Sequence, residues 1–211
     1  MEENNYRSFS ILLCLLLALN ACNNADKGAK TPSLLKKEKV KTTEATVHTQ
    51  KGPVINITDT LSIKRTLLVI KDSAATLDGM AIKLQEIYAV KLPLFIKKNN
   101  LKITGAPVAW LKGQKPPYFF EAGLPINKSP TKLSNGIKIK EIGNDSVVIA
   151  HFFGPYNLIP QAYDALKDWV KDHKKKITVA PYEVYTDDPI DASGKLKDPY
   201  KVQTDIVFSW K

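Results

Sequence analysis

The chain repeats itself. Residues 102–111 read KITGAPVAWL and residues 176–185 read KITVAPYEVY, an offset of 176 − 102 = 74. Each copy follows a segment of helical period. After each comes a turn-rich loop and then a strand opened by a Pro-Tyr pair, Pro117-Tyr118 in the first half and Pro199-Tyr200 in the second. Matching stretches in matching contexts mark an internal duplication of a strand–helix–strand–strand unit. One such unit cannot cover its own sheet. The two are therefore expected to pack as a pseudo-symmetric pair with one shared core, an α+β fold built from duplicated βαββ units.

The spacing of apolar residues fills in the elements. Ile63 to Ile70 reads as a strand. Leu77 to Lys98 reads as a helix, with Leu77, Met80, Ala81, Leu84, Ile87, Tyr88 and Leu92 on one stripe and Pro93 placed to kink its last turns. Val108 to Leu111 and Tyr118 to Leu124 are short strands flanking the turn-rich KGQKPP, and Ser134-Asn135-Gly136 marks a further turn. Ile137 to Ile142 and Ser146 to Phe153 read as two strands paired across a Gly143-Asn144-Asp145 turn. Pro160 suits the first turn of a helix that runs to about His173 with Ile159, Tyr163, Leu166 and Val170 on one face. Glu183 to Thr186 and Val202 to Trp210 supply the last strands.

The N-terminus is of another kind. Phe9 to Leu19 is the only long apolar run, too short to span a bilayer and too near the start to belong to a core, and so reads as a targeting segment. It ends in Leu19-Asn20-Ala21-Cys22, which resembles the lipobox of bacterial lipoprotein signal peptides, although Asn20 is larger and more polar than the usual residue there. That resemblance implies cleavage after residue 21 and a lipid on Cys22. The other cysteine, Cys14, lies inside the segment that would be removed, leaving Cys22 without a disulfide partner. The alternative is an ordinary secretory peptide that ends in cysteine. Residues 22–53 are rich in Lys, Thr and Asn with almost no large apolar side chain, the composition of a disordered tether, and the folded domain is expected over 54–211. The formal net charge is +10. Its lysines are scattered rather than periodic, so a solvated surface is expected and no nucleic-acid partner.

Four motifs carry a resemblance to a known family. Ala150-His151-Phe152-Phe153-Gly154-Pro155-Tyr156, then a helix, then Pro181-Tyr182-Glu183-Val184-Tyr185, resembles the GyrI-like small-molecule-binding domain, also called the AraC-type effector-binding or SOUL-like domain. Gly105 to Trp110 and Phe120 to Pro125 sit where that family has its GxPxAxY and E-x-G-x-P stretches, and the resemblance covers about residues 61 to 211. It implies a duplicated βαββ fold whose curved antiparallel sheet and two long helices form a ligand groove on the pseudo-twofold axis. Members bind lipophilic, often cationic compounds, commonly against a buried glutamate. By motif match that glutamate is Glu183, whose equivalent in the first half, at the offset of 74, is Ala109. Burial should raise its pKa and reward a matching cation. Trp110, Phe120, Tyr156, Tyr163 and Tyr185 are the candidate lining residues, each with plain core packing as its alternative. Glu121 is left open between the groove and the outer face; the Pro-Tyr offset of 82 makes Gln203 its counterpart.

These features describe an envelope-tethered module for a hydrophobic or cationic small molecule, lipid-anchored to the inner or outer membrane with its domain in the periplasm or at the cell surface. The alternative is a hydrolase of electrophilic small molecules using the same groove, for which the sequence offers no nucleophile–base constellation. No cofactor is implied, and His48, His151 and His173 lack metal-ligand spacing. Relatives of the family are often fused to a helix-turn-helix segment, and nothing before residue 61 reads as one. The oligomeric state is not indicated.

Overall fold

The structure is a computed structural model that describes residues 52–113, 115–134 and 136–211. The expected signal peptide at 1–21, the expected lipidation site Cys22 and all but the last residues of the expected tether lie outside the described residues, as does Asn135 of the Ser-Asn-Gly turn. Among the described residues no helix is long and apolar enough to cross a membrane.

Eight strands form one antiparallel sheet: β1 (Val54–Leu61), β2 (Arg65–Ala74), β3 (Val108–Lys112), β4 (Tyr118–Ile126), β5 (Ile137–Ile142), β6 (Ser146–Phe153), β7 (Tyr182–Val184) and β8 (Gln203–Trp210). Their order is β1-β6-β8-β7-β3-β4-β2-β5. The α+β class and the duplication expected from the repeat are both present: β2, a helical rod, β3 and β4 make one half, and β6, a helix, β7 and β8 the other. The halves join at the centre, where β3 pairs with β7.

The rod of the first half is α1 (Leu77–Glu86), one π-helical turn at Ile87–Lys91, and α2 (Leu92–Lys98). Thr76 caps α1 by accepting the Gly79 N–H. The distortion expected at Pro93 takes the form of that π turn. Leu92 donates its N–H to the Ile87 carbonyl, five residues back, so the ladder widens just before the proline ring. The second half carries α3 (Ile159–Asp172), with Pro160 in its first turn as expected. Each rod ends on a left-handed residue, Asn100 at φ 52° and Lys174 at φ 51°, again 74 apart in the sequence.

Strand ends are where expectation and structure part. β1 was not anticipated; it is an edge strand, exposed at seven of its eight residues, and only Ile55 carries an inward apolar signal. The β5–β6 hairpin does not form. β5 pairs with β2, and β6 pairs with β1 and β8. The turn residues are real, with Gly143 and Asn144 both at positive φ, but they serve a crossing rather than a reversal. Leu61 faces Ser146 and Arg65 faces Ile142, so the β1–β2 chain and the β5–β6 chain run past each other in one unbroken register. The crossing is tied by Ser62, which donates its N–H to the Asp145 carbonyl and accepts the Asn144 N–H on its own carbonyl. A Cβ on Gly143 would collide with the Ile63 carbonyl, so no larger residue fits there. Each half-sheet is thus completed at its edge by the strand that precedes the other half.

Pairing also corrects the repeat alignment after its third strand. Val108 pairs with Gly123, and its equivalent Tyr182 pairs with Val207, so the β4-to-β8 offset is 207 − 123 = 84 rather than 82. The isolated bridges Ile103–Ile126 and Ile177–Trp210 give the same figure. The Pro-Tyr pairs are not equivalent: Tyr118 opens β4, whereas Pro199–Lys201 is a 3₁₀ turn ahead of β8. The counterpart of Glu121 is therefore Asp205, and that of Lys71 is His151.

Strand alternation divides the apolar residues among three clusters. On the helix face, Met80, Leu84, Ile87 and Leu92 pack on Leu68, Phe120 and Ala122 in the first half. Ile159, Ala162 and Leu166 pack on Val148, Ala150 and Phe208 in the second. On the opposite face Leu67, Val108, Trp110, Val147 and Tyr182 form a third cluster without any helix. Leu67 and Val147 lie on strands second from opposite ends of the order, so the sheet curls over this face and packs it against itself.

Candidate functional site

The two helix-face cores meet at the central strand pair. There Glu183 of β7 stands directly opposite Ala109 of β3, and both are fully buried. Because these are also repeat equivalents, the pseudo-twofold relation between the halves passes between them. Ala109 contributes almost no side-chain volume, which leaves the floor of the seam to one carboxylate.

Three tyrosine hydroxyls converge on that carboxylate. Tyr163 of α3 donates to Oε1 at 3.1 Å. Tyr156, in the 3₁₀ turn Tyr156–Leu158 that leads into α3, donates to Oε2 at 3.0 Å, and Tyr185, just past β7, donates to Oε2 at 3.1 Å. The hydroxyls of Tyr156 and Tyr185 are themselves 3.4 Å apart. Tyr88, from the π turn of the first rod, meets the Tyr185 ring edge-on with centroids 6.1 Å apart and donates to the Val108 carbonyl at 2.8 Å. The π turn thus places Tyr88 over the seam. Tyr156, Tyr163 and Tyr185 are each only partly buried, while Glu183 beneath them is not exposed at all.

The electrostatics are one-sided. Among the described residues no lysine, arginine or histidine lies within ion-pair distance of Glu183. Burial pushes its pKa up, and the bonds from Tyr156, Tyr185 and Tyr163 pull it down only in part, so the net direction is upward as expected. Burial and the neighbouring carboxylate likewise push Tyr156, Tyr163 and Tyr185 up, so they remain neutral donors. The carboxylate is hydrogen-bonded but has no countercharge among the described residues.

The structure brings together four of the six residues singled out for this site: Glu183, Tyr156, Tyr163 and Tyr185. Phe120 is on the same face, in the core under the first rod. Trp110 is not part of the cluster. It follows Ala109 on β3 and so points to the other face, where it packs on Tyr182 with ring centroids 5.7 Å apart and lies under the Lys140 ammonium, 3.6 Å from the ring centroid. The helical period puts Tyr88 on the core stripe, and nothing in that period separates a core residue from one over the seam.

Glu121, left open by the sequence, is on Trp110's face. Its side chain is 6% exposed and takes three lysines: Lys71 at 3.1 Å and Lys112 at 2.8 Å on Oε1, and Lys140 at 2.8 Å on Oε2. Burial alone would raise its pKa, but the hydrogen bonds from Lys112, Lys140 and Lys71 outweigh it and bring the value down to about 2. Among the described residues, two buried carboxylates, Glu121 and Glu183, thus stand in opposite electrostatic settings. His151 sits at the Lys71-equivalent position and pairs through Nδ1 with Asp205 at 2.8 Å, while its Nε2 faces the Thr58 hydroxyl at 3.2 Å.

No protein-family model matches the sequence, and no curated protein matches it. Solved structures do. The EcmrR C-terminal domain superposes with a TM-score of 0.58 at 18% identity, over 75% of this chain and 98% of that one. EcmrR in the EcmrR–DNA complex gives the same score and identity, but this chain spans just over half of it, 57%. An uncharacterised conserved protein from Listeria innocua superposes with a TM-score of 0.53 at 10% identity, over 74% of this chain and 92% of that one. At such identities the likeness is one of fold, the α+β arrangement to which the repeat and the strand pairing also point.

Proposed function

We propose that the domain is a small-molecule-binding module that takes a lipophilic cation in the seam above Glu183. One observation carries this reading. A fully buried carboxylate holds three neutral hydroxyl donors and, among the described residues, no cation. Hydrogen bonds reduce the cost of burying the charge but do not cancel it, so a ligand bringing its own positive charge gains more here than a neutral one of the same shape. The partly exposed tyrosine rings add apolar area and cation–π attraction for such a ligand. The family resemblance in the sequence points to the same ligand class.

The test is calorimetric titration with tetraphenylarsonium against neutral triphenylphosphine oxide. The module reading expects the cation to bind and Glu183→Gln to weaken it by tenfold or more while leaving the neutral compound unchanged. Equal affinity of parent and variant for the cation removes Glu183 from the site. The hydrolase alternative is supported by no atom arrangement beyond the same carboxylate, and turnover of an electrophilic panel that vanishes in Glu183→Gln would favour it instead.

The same reading places the module in the bacterial envelope, tethered by a lipid on Cys22 after removal of residues 1–21. The Leu19 to Cys22 motif and the lack of a second cysteine in the mature chain support it. Radiolabelled palmitate should label the parent and not Cys22→Ala; label retained in that variant rejects the anchor.

A further inference from the structure

On the face of the sheet away from Glu183, the three lysines on Glu121 outnumber what a carboxylate needs. The molecule contains its own comparison. Asp205 occupies the Glu121-equivalent position of the second half, and it is satisfied by His151 and by the Gln203 amide at 2.8 Å, with no lysine among the described residues. The equivalents of Lys71, Lys112 and Lys140 there are His151, Thr186 and Thr60. One partner on a neighbouring strand and one on its own strand are enough to keep this carboxylate position in the fold, and neither needs to be a lysine, so the third lysine on Glu121 and the excess positive charge serve no requirement of the sheet.

Their geometry is that of a cradle. All three ammoniums lie within 3.1 Å of one carboxylate and therefore within a few ångströms of one another. They come from three different strands, β2, β3 and β5. Such like-charge crowding is unfavourable unless something anionic gathers it. Glu121 compensates one charge of three. Lys140 is further fixed by the Trp110 ring beneath it. The side chains of Lys71 and Lys112 remain 55% and 53% exposed, so donors on these two ammoniums are open to water.

We propose that Lys71, Lys112 and Lys140 form a binding site for a phosphate-class anion, with Glu121 as the floor that holds the ammoniums together. A phosphate monoester or diester supplies oxygens spaced to accept from several ammoniums at once; a monoester's charge matches the excess and a diester's offsets half of it. The group can belong to a free phosphate compound or to a lipid headgroup. The site is independent of the Glu183 reading, since it lies on the other face and uses none of its residues.

The experiment uses the full chain carrying Cys22→Ser, so that no lipid confounds the result. Inorganic pyrophosphate is titrated calorimetrically, and flotation is measured with vesicles of phosphatidylglycerol in phosphatidylcholine. Lys112→Thr and Lys71→Thr, each installing a residue no larger than those of the second half, are compared with Lys201→Thr as a matched loss of charge elsewhere. The expected result is binding that weakens fivefold or more in either cradle variant, is restored in Lys112→Arg, and is unchanged in Lys201→Thr. Loss confined to pyrophosphate identifies a free phosphate compound, and loss confined to vesicles identifies a headgroup. Failure to bind either probe at millimolar concentration overturns the proposal. So does an equal loss in Lys201→Thr, which would show only diffuse attraction. Thermal melts of each variant separate loss of the site from loss of the fold.

Discussion

Glu183 and Ala109 are cross-strand partners in the β3–β7 ladder and, at the same time, equivalent positions of the two repeats. A duplicated chain would ordinarily place two like residues face to face at such a point. Here one side carries a carboxylate and the other a methyl group, so a single charge stands where the two halves meet.

The raised pKa of Glu183 sets a pH dependence. With its pKa higher in the folded than in the unfolded chain, the folded state holds more protons between the two values. Stability therefore falls as pH rises from the unfolded value through the folded one. Glu183→Gln removes that dependence. Urea unfolding at pH 4.5 and pH 8 should show a smaller loss in the variant than in the parent. Cation affinity should run the other way in the parent, strengthening over the same rise in pH.

Tyr163→Phe deletes one donor on Oε1 and leaves the carboxylate buried. The expected cost is about 1–2 kcal/mol of stability above the Glu183 pKa and less below it, where the protonated acid no longer needs the bond. The pH at which cation affinity rises should also move upward. Denaturant midpoints at two pH values, together with a pH series of cation titrations, check both effects.

Glu121 behaves in the opposite sense. Its pKa is lowered to about 2, so the stability it contributes is present above the ordinary value of 4.5 and is lost as pH falls toward about 2. Glu121→Gln should flatten the acid limb of a near-ultraviolet circular dichroism titration over that interval. It should also destabilise the chain at neutral pH, because three ammoniums lose the charge that gathers them.

At the crossing of the two long chains, Gly143→Ala should destabilise by more than about 2 kcal/mol, since the new Cβ meets the Ile63 carbonyl at a positive φ. Gly113→Ala provides the contrast: its φ is also positive, at 108°, but its Cβ would meet nothing within 4 Å. That loss should stay near 1 kcal/mol, the backbone part alone. Urea midpoints of the two variants measure the difference.

Much of the fold was legible because duplication is a linear signal. Two matching strings at one offset imply two matching units, and strand and helix periods within them follow from which face must be apolar. Glu183 and its tyrosines were legible only through the family resemblance of their motif, which grouped Trp110 with them. Pairing between distant strands was not legible. Gly143-Asn144 reads as a hairpin turn because local backbone preference is identical for a reversal and for a crossing, and only the β1–β2 chain lying alongside decides between them. The offset after β3 slipped by two because the Pro-Tyr pairs look alike in sequence while hydrogen bonding places one in a strand and the other ahead of it.

By itself, then, the sequence determined the duplicated α+β class and the helices with their apolar stripes. Each of these depends on order and spacing along one segment. Tertiary structure alone decided which face each strand residue takes once the sheet curls. It sent Trp110 and Glu121 to the side away from Glu183, brought Tyr88 over the seam through a π turn, and gathered three scattered lysines from three strands onto one carboxylate. Those outcomes rest on pairing between residues far apart in the chain, which no local period records.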